Sequence, residues 1–335
     1  MTDIVSAWLL LDERASHRSQ VLGVMERLGW PAVTKEIRYN KLSALANLFL
    51  GRRLTHLTEE SRVAIAPPWP DLVISAGRRS APVALFIKKH SPKTKLVHLM
   101  WPDIAPSRFD LIALPEHDAL KHKGPNILRT FGSPHRITEG SLNGEALRWH
   151  AQVSRLPRPW IALLIGGSGR HADYEDADFK TLGAYASAEV ERLGGSLLIT
   201  SSPRTGEKGE SLVKGLLTVP HLFHRWQAGA DNPYTAFLGL ADAIIVTGDS
   251  VSMCSEACST GKPVYIFTPP HLNKGRHSFR ETLFAHGAAK QHIYPIRLDW
   301  TPVRMPDAAS EIAHNIQTRL FPARSSAIVS GQPLT

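Results

Sequence analysis

Short apolar runs that each end in a polar or charged loop recur along the chain. Residues 5–11 form the first, a buried-strand candidate; the loop 12–16 follows, then a helix over about 17–28 stopped by Gly29 and Pro31. A strand over 72–75 runs into the turn 76–80 and the helix 81–90, and further short strands are expected over 96–100, 111–114 and 127–131. The pattern then restarts. A strand over 161–165 leads through the loop 166–170 to a helix over 179–193, whose apolar stripe is Phe179, Leu182, Ala186, Val190 and Leu193. Gly194 and Gly195 stop it before a strand over 196–200, and strands near 221–224, 243–247 and 264–267 follow, with a helix over 234–240. Strands alternating with helices predict an α/β fold with mostly parallel, doubly wound sheets.

The 335 residues amount to about two α/β domains. The segment 151–159 carries Pro157 and Pro159 and suits a linker, so domains are expected over 1–150 and 151–335. The helix near 306–320 is free to cross back to the first half, and 325–335 reads as a loose tail.

Composition narrows the partners. A formal charge of +9 favours nucleotide phosphates, anionic lipid or nucleic acid, or else serves only as a solubilising surface. No nucleic-acid recognition module or aromatic platform is present, so nucleic acid is not an expected partner. Cys254 and Cys258 lack Cys-x-x-Cys spacing and read as small buried side chains in a reducing compartment. The 16 histidines include no His-Glu-x-x-His, and no metal is expected. With no segment long enough for a signal peptide or a membrane span, the protein is expected in the cytoplasm or peripherally at the inner face of a membrane. Leu42, Leu45, Ala46 and Phe49 form a helical stripe, with Leu48 and Leu50 adding apolar surface beside Arg52 and Arg53. The stripe is either an interfacial membrane contact or an amphipathic helix packed on the core.

Nearly every unusual polar loop falls at the carboxyl end of an expected strand, where open α/β sheets bind ligands. The turn Thr247, Gly248, Asp249, Ser250 lies between a buried strand and a short helix, and directs backbone N–H groups and a positive helix end toward an anion. Ser252 and Met253 sit in that helix's first turn, while Glu256, four residues past Ser252, shares its face and can reach sugar hydroxyls. Gly166, Gly167 and Ser168 allow backbone to approach a phosphate that Arg170 can pair, or make an ordinary glycine turn. Thr200, Ser201 and Arg204 offer hydroxyls and a guanidinium for a diphosphate, or form a solvated turn. The loop 268–280, with Lys274, Arg276, His277 and Arg280, either closes over a diphosphate or lies charged on the surface.

In the first half, Gly77, Arg78 and Arg79 occupy the analogous turn and suit an anionic acceptor, or one of the two arginines is simply solvated. Glu116, His117 and Asp118 place two carboxylates and an imidazole at another strand end, chemistry fit to take a proton from a hydroxyl, or an exposed turn. Asp12 and His17 are further candidates for the same role, or cap the helix after the first strand. One base is expected among Asp12, His17, Glu116, His117 and Asp118.

Asp12, His17 and Gln20, then Ser75-Ala-Gly-Arg-Arg-Ser80, Pro115-Glu-His-Asp118, Gly132-Ser-Pro-His135, Ile165-Gly-Gly-Ser168, Gly195-Ser-Leu-Leu-Ile-Thr200 and Thr247-Gly-Asp-Ser-Val-Ser-Met-Cys-Ser-Glu256 occur in this order. Together they resemble the mitochondrial-fission-protein-like family of glycosyltransferases found in bacteria and plants. The resemblance implies a GT-B architecture, two Rossmann-like domains facing a cleft, with no required metal or other cofactor. It implies that the carboxyl-terminal domain holds a nucleoside-diphosphate-sugar, with Gly167 and Ser168 near phosphate, Glu256 at the donor ribose, and residues 247–252 lining the pocket. The expected reaction moves a sugar to a hydroxyl of a lipid-linked or lipopolysaccharide-core-type acceptor. The alternatives are a non-catalytic member acting through its surface, at a membrane or on a protein, and a nucleotide-sugar epimerase or hydrolase.

Overall fold

The computed structural model describes residues 5–119, 122–168, 173–273 and 277–322. The chain divides into two compact units: one runs to Arg136 and resumes at Pro306, and the other spans Ile137–Met305.

In the first unit, β1 Ala7–Leu11, β2 Ala32–Glu36, β3 Leu72–Ala76, β4 Lys95–Leu99, β5 Leu111–Pro115 and β6 Ile127–Thr130 form one sheet in the order β2-β1-β3-β4-β5-β6. Every neighbouring pair is parallel. The apolar runs are continuous because both faces are covered. Ala7, Leu9 and Leu11 of β1 enter one core and Trp8 and Leu10 the other; Leu72 and Ile74 of β3 divide from Val73 in the same way. Helix Ala15–Leu28 adds Val21, Val24 and Met25 to the first core, and helix Ala308–Asn315 adds Ala309, Ile312 and Ala313 from the far end of the chain. Asp307 starts this last helix. Its carboxylate accepts the Ala309 and Ser310 N–H groups and pairs with Arg27 at 2.9 Å. The strand β2 lies at the sheet edge with mostly exposed side chains, so no apolar run marks it in the sequence.

The second unit repeats the plan with β7 Trp160–Leu164, β8 Ser196–Thr200, β9 His221–His224, β10 Ala243–Thr247, β11 Val264–Phe267 and β12 Lys290–Gln291, ordered β12-β11-β10-β7-β8-β9. All of its pairings are parallel as well. Phe179, Leu182, Ala186 and Val190 of helix Asp176–Leu193 are buried against Ile161, Leu163, Leu197 and Ile199, as the stripe requires, with Leu193 at the margin. The unit opens with helix Glu139–Val153, started by a capping box between Thr138 and Ser141. The proline-bearing segment 151–159 therefore begins as the last residues of a helix inside the second unit. Cys254 and Cys258 are free and buried, and burial pushes the Cys258 thiol up to about 12.

The segment 42–50 does not form one amphipathic helix packed on the core. It breaks into a 3-10 turn, Lys41–Ala44, and a single helical turn, Asn47–Leu50. The Asn40 side chain caps the first by accepting the Leu42 N–H, and Leu45 and Ala46 are extended between the two. That break turns Leu42, Leu45, Leu48 and Phe49 outward and leaves Leu50 buried.

Candidate functional site

In the second unit the chain moves outward from β7 through β8 to β9, then returns to β10 on the other side of β7. The loops after β7 and β10 flank this reversal, the point where doubly wound sheets place a ligand. Both are laced to the loop after β8. The Gly166 N–H donates to Thr247 Oγ1 at 2.7 Å and the Gly167 N–H to Asp249 Oδ2 at 3.3 Å. Asp249 Oδ2 also pairs with Arg204 Nη2 at 2.6 Å, while Arg204 Nη1 donates to the Gly167 carbonyl at 3.3 Å. Thr205 Oγ1 donates to the Ile165 carbonyl at 2.9 Å and the Gly166 carbonyl at 2.5 Å.

The two glycines are needed for this lacing. A Cβ on Gly166 would lie 2.2 Å from Asp249 Oδ1, and one on Gly167 would lie 2.2 Å from the Arg204 carbonyl oxygen.

Helix Val251–Ser259 starts beside this knot. Ser250 caps it, its side chain accepting the Met253 N–H at 3.3 Å. Cys254 and Cys258 turn inward, whereas Ser252 and Met253 are half-exposed. Glu256 is buried on the helix and accepts a hydrogen bond of 2.6 Å from the Tyr234 hydroxyl. Burial, and then the Glu256 charge, raise the Tyr234 phenol well above its ordinary value, so Tyr234 stays a donor.

The structure thus brings Gly166, Gly167, Ser168, Arg204, Thr247, Asp249 and Ser250 together, with Ser252, Met253 and Glu256 along the adjoining helix. Not all of them turn their polar atoms outward. The Asp249 carboxylate and the Thr247 hydroxyl are turned inward as framework. Thr200 and Ser201 are buried too, and Ser201 Oγ donates to Glu210 Oε1 at 2.6 Å and accepts the Trp226 N–H at 2.9 Å. Ser168 Oγ accepts the Tyr174 N–H at 2.9 Å. Arg170 lies outside the described residues. Arg280, read in sequence as part of a loop over a diphosphate, is buried and donates to the Gly248 carbonyl at 3.3 Å. Thr205 and Tyr234 carry contacts that no motif announced. A hydroxyl at a strand end and a strand-remote tyrosine acquire roles only from neighbours distant in sequence.

The first unit has its own reversal, between β1 and β3. There Asp12 Oδ2 lies 2.9 Å from His17 Nδ1, with both side chains buried, and Asp12 Oδ1 accepts the Arg14 N–H at 3.0 Å. Burial raises the Asp12 carboxyl, but the His17 hydrogen bond and charge, the Arg14 amide and Arg79 outweigh it and hold it below its usual value. The carboxylate therefore takes the Nδ1 proton as its partner, which leaves His17 Nε2 as the basic nitrogen.

Gly77, at φ 78, passes under the ring, where a Cβ would meet His17 Cε1 at 2.4 Å. Arg79 pairs with Glu13 at 2.7 Å, stands 4.0 Å from Asp12 and covers the Tyr39 ring at 4.3 Å. Arg78 is spent on backbone, donating to the Leu45 carbonyl at 2.7 Å and the Ser43 carbonyl at 2.9 Å. Glu116, His117 and Asp118 start a short helix after β5, three strands from β1, or about 14 Å at ordinary strand spacing. Glu116 and Asp118 are exposed. Asp12 and His17 thus form a buried, oriented dyad, whereas the Glu116 and Asp118 carboxylates face solvent.

Two six-stranded parallel sheets, each with polar loops gathered where strand order reverses, define a protein of two Rossmann-like units of GT-B type. The structure is similar to the UDP-GlcNAc 2-epimerase from Methanocaldococcus jannaschii, with TM-score 0.57 and 12% identity over 93% of this chain and 99% of that one. It is also similar to the UDP-GlcNAc 2-epimerase from Neisseria meningitidis bound to UDP-GlcNAc, with TM-score 0.50 and 15% identity over 95% and 92% of the two chains. At these identities the likeness establishes the fold.

Residues 15–320 match the family described as mitochondrial fission ELM1, and the chain belongs to that family. It is 29% identical to the uncharacterized protein RP120 of Rickettsia prowazekii over 82% of this chain and 86% of that one. It is 30% identical to the mitochondrial fission protein ELM1 of Arabidopsis thaliana over 66% of this chain, a match spanning 57% of the plant protein.

Proposed function

We propose that the protein is a glycosyltransferase that moves a sugar from a nucleoside-diphosphate-sugar to a hydroxyl of a lipid-linked or lipopolysaccharide-core-type acceptor, working at the inner face of a membrane. The observation that carries the donor site is the Ser250-capped helix start at the β7/β10 reversal, with the Glu256 carboxylate further along the same helix. The first amides of helix Val251–Ser259, Ser250 and Ser252 meet the diphosphate, and the helix end supplies partial positive charge to the leaving group. Glu256, held by Tyr234, accepts from ribose hydroxyls. The knot of Asp249, Arg204 and the two glycines keeps the mouth in shape.

The first unit supplies the base. His17 Nε2 takes the proton of the acceptor hydroxyl as its oxygen bonds to the anomeric carbon. The bond from that carbon to the diphosphate oxygen breaks, and the electron pair leaves with the nucleoside diphosphate. Asp12 stabilises the imidazolium that forms. Gly77 supports the imidazole as a positioning residue.

Titration calorimetry with UDP- and GDP-sugars tests this reading. Wild type binds at least one of them, and Glu256→Ala weakens that binding tenfold or more, the loss of a charge-assisted hydrogen bond. Wild type that binds no nucleotide sugar ends the proposal, and sugar conversion without any acceptor replaces it with an epimerase.

A further inference from the structure

An apolar tip stands on the first unit between β2 and helix Glu59–Val63. Leu48 is 86% exposed, Phe49 73%, Leu42 46% and Leu45 45%. Large apolar side chains gathered and presented in this way mark a contact surface rather than scattered surface residues. Their exposure is not fraying, because the base of the tip is braced. Asn47 is 2% exposed, and its Nδ2 donates to the Arg78 carbonyl at 2.8 Å and the Pro102 carbonyl at 2.7 Å. Asn40 Nδ2 donates to the Thr55 carbonyl at 2.8 Å and the Leu57 carbonyl at 2.9 Å, and Leu50 is buried beneath. The Arg78 guanidinium ties down the Ser43 and Leu45 carbonyls.

Charge identifies what the tip meets. From Lys41 to Thr58 the chain carries Lys41, Arg52 and Arg53 and no acidic residue, and all three basic side chains are exposed. Apolar side chains flanked by cations match an anionic bilayer, with acyl chains below and negative headgroups around them. A lone apolar anchor binds a membrane weakly and reversibly, and a second, electrostatic signal makes the association stable.

We propose that this tip docks the protein on an anionic lipid surface, with Leu48 and Phe49 entering the acyl boundary and Lys41, Arg52 and Arg53 facing the headgroups. Each basic residue near such a leaflet strengthens partitioning about fivefold, and salt weakens it. The docking rests on the tip alone. Its consequence for catalysis rests on the transferase reading: Arg78, which ties down the tip, directly follows Gly77, the residue under His17, so docking sets the dyad's loop at the surface that holds a lipid-linked hydroxyl.

Co-sedimentation of the full chain with phosphatidylcholine vesicles, with and without phosphatidylglycerol, tests the docking. Wild type is expected to sediment with the anionic vesicles and to be released by salt. Leu48→Glu with Phe49→Glu lowers partitioning tenfold or more, and Arg52→Glu with Arg53→Glu lowers it similarly. Leu147→Glu, an exposed site on the second unit, changes nothing. Wild type left in the supernatant, tip variants that still sediment, or a tip that on substitution changes only self-association or protein capture would each overturn the docking. Nucleotide-sugar calorimetry on the same variants separates the two readings: intact donor binding with lost sedimentation confirms the docking independently of catalysis, and sedimentation without donor binding leaves only the transferase reading to fall.

Discussion

Arg204 Nη2 lies 2.6 Å from Asp249 Oδ2, and the pair is lopsided: the Asp249 side chain is 0% exposed and that of Arg204 is 38% exposed. The two partners therefore do not share the cost of separation equally. Arg204→Ala leaves a buried carboxylate without its cation and is expected to destabilise the second unit by about 3 kcal/mol. Asp249→Asn keeps an oxygen for the Gly167 N–H and leaves a guanidinium that water can reach, for a loss of about 1 kcal/mol. Denaturant unfolding of both variants measures the order, and equal losses would show that Asp249 is more accessible than the structure has it.

Glycines at two places differ in what surrounds them. Gly166→Ala forces a methyl to within 2.2 Å of Asp249 Oδ1, so the carboxylate must leave both Gly167 and Arg204. A loss of about 2 kcal/mol is expected, together with weaker nucleotide-sugar binding. Gly144→Ala, inside helix Glu139–Val153 with nothing within 4 Å, should instead gain about 0.5–1 kcal/mol. Thermal melts of the two variants should move in opposite directions; a neutral Gly166→Ala would mean the strand-end loops give way easily.

His98 is expected to make the first unit acid-sensitive. Its ring is fully buried, Nδ1 lies 2.8 Å from Ser75 Oγ, and burial, then His17, push its ionisation down to about 3 from 6.5. Above pH 6.5 neither the folded nor the unfolded chain carries this proton, and its contribution to stability is complete. As pH falls from there toward about 3, only the unfolded chain binds it, so stability is lost by about 1.4 kcal/mol per pH unit. Asp12, also held below its ordinary value, adds a loss of the same sign at lower pH. His98→Asn keeps a partner for Ser75 and should flatten the fall between about pH 6 and pH 4. An unchanged pH profile in this variant would assign the acid sensitivity to other groups.

His17 and Asp12 should act as one device. His17→Gln is expected to lower turnover by about 10²–10⁴ while leaving nucleotide-sugar binding intact. Asp12→Asn removes the charge that orients and stabilises the ring, and the double variant should be little worse than His17→Gln alone. Glu116→Gln and Asp118→Asn, on the solvent-facing turn, should be close to wild type. Steady-state rates for the set decide the matter, and a large loss at Glu116 or Asp118 would transfer the base to that turn.

Much of this architecture is legible in the residue order. Apolar runs of strand length, each broken by a polar turn and followed by a helical stripe, specify parallel α/β units because only strands covered on both faces stay continuously apolar. The run at 72–75 becomes β3, which reaches one residue further to Ala76, and the run at 196–200 and the stripe Phe179, Leu182, Ala186, Val190 become β8 and a helix face on the same residues. Strand ends are also where small and polar residues collect, since the loops there are rich in Gly, Ser, Asp and Arg.

Which of those loops act together is a matter of strand order, and no local pattern encodes it. Asp12 with His17 and Glu116 with Asp118 stand equal in the sequence, yet the order β2-β1-β3-β4-β5-β6 sets one pair at the reversal and the other three strands away. Asp249 reads as a ligand to a phosphate loop, but β10 lies directly beside β7, which brings Gly166 and Gly167 against its carboxylate and turns it inward to Arg204. The edge strand β2 and the broken helix at Lys41–Leu50 are equally tertiary in origin. Backbone pairing with β1 forms the first without an apolar run, and hydrogen bonds from Asn47 and Arg78 hold the second against its own periodicity. Local periodicity acts over a few residues, whereas side-chain direction at a strand end depends on neighbours about 80 positions away, as between Gly167 and Asp249. The buried strands and helix stripes were therefore determined by sequence, whereas the edge strand, the broken helix and the partners at the strand ends were decided by the fold.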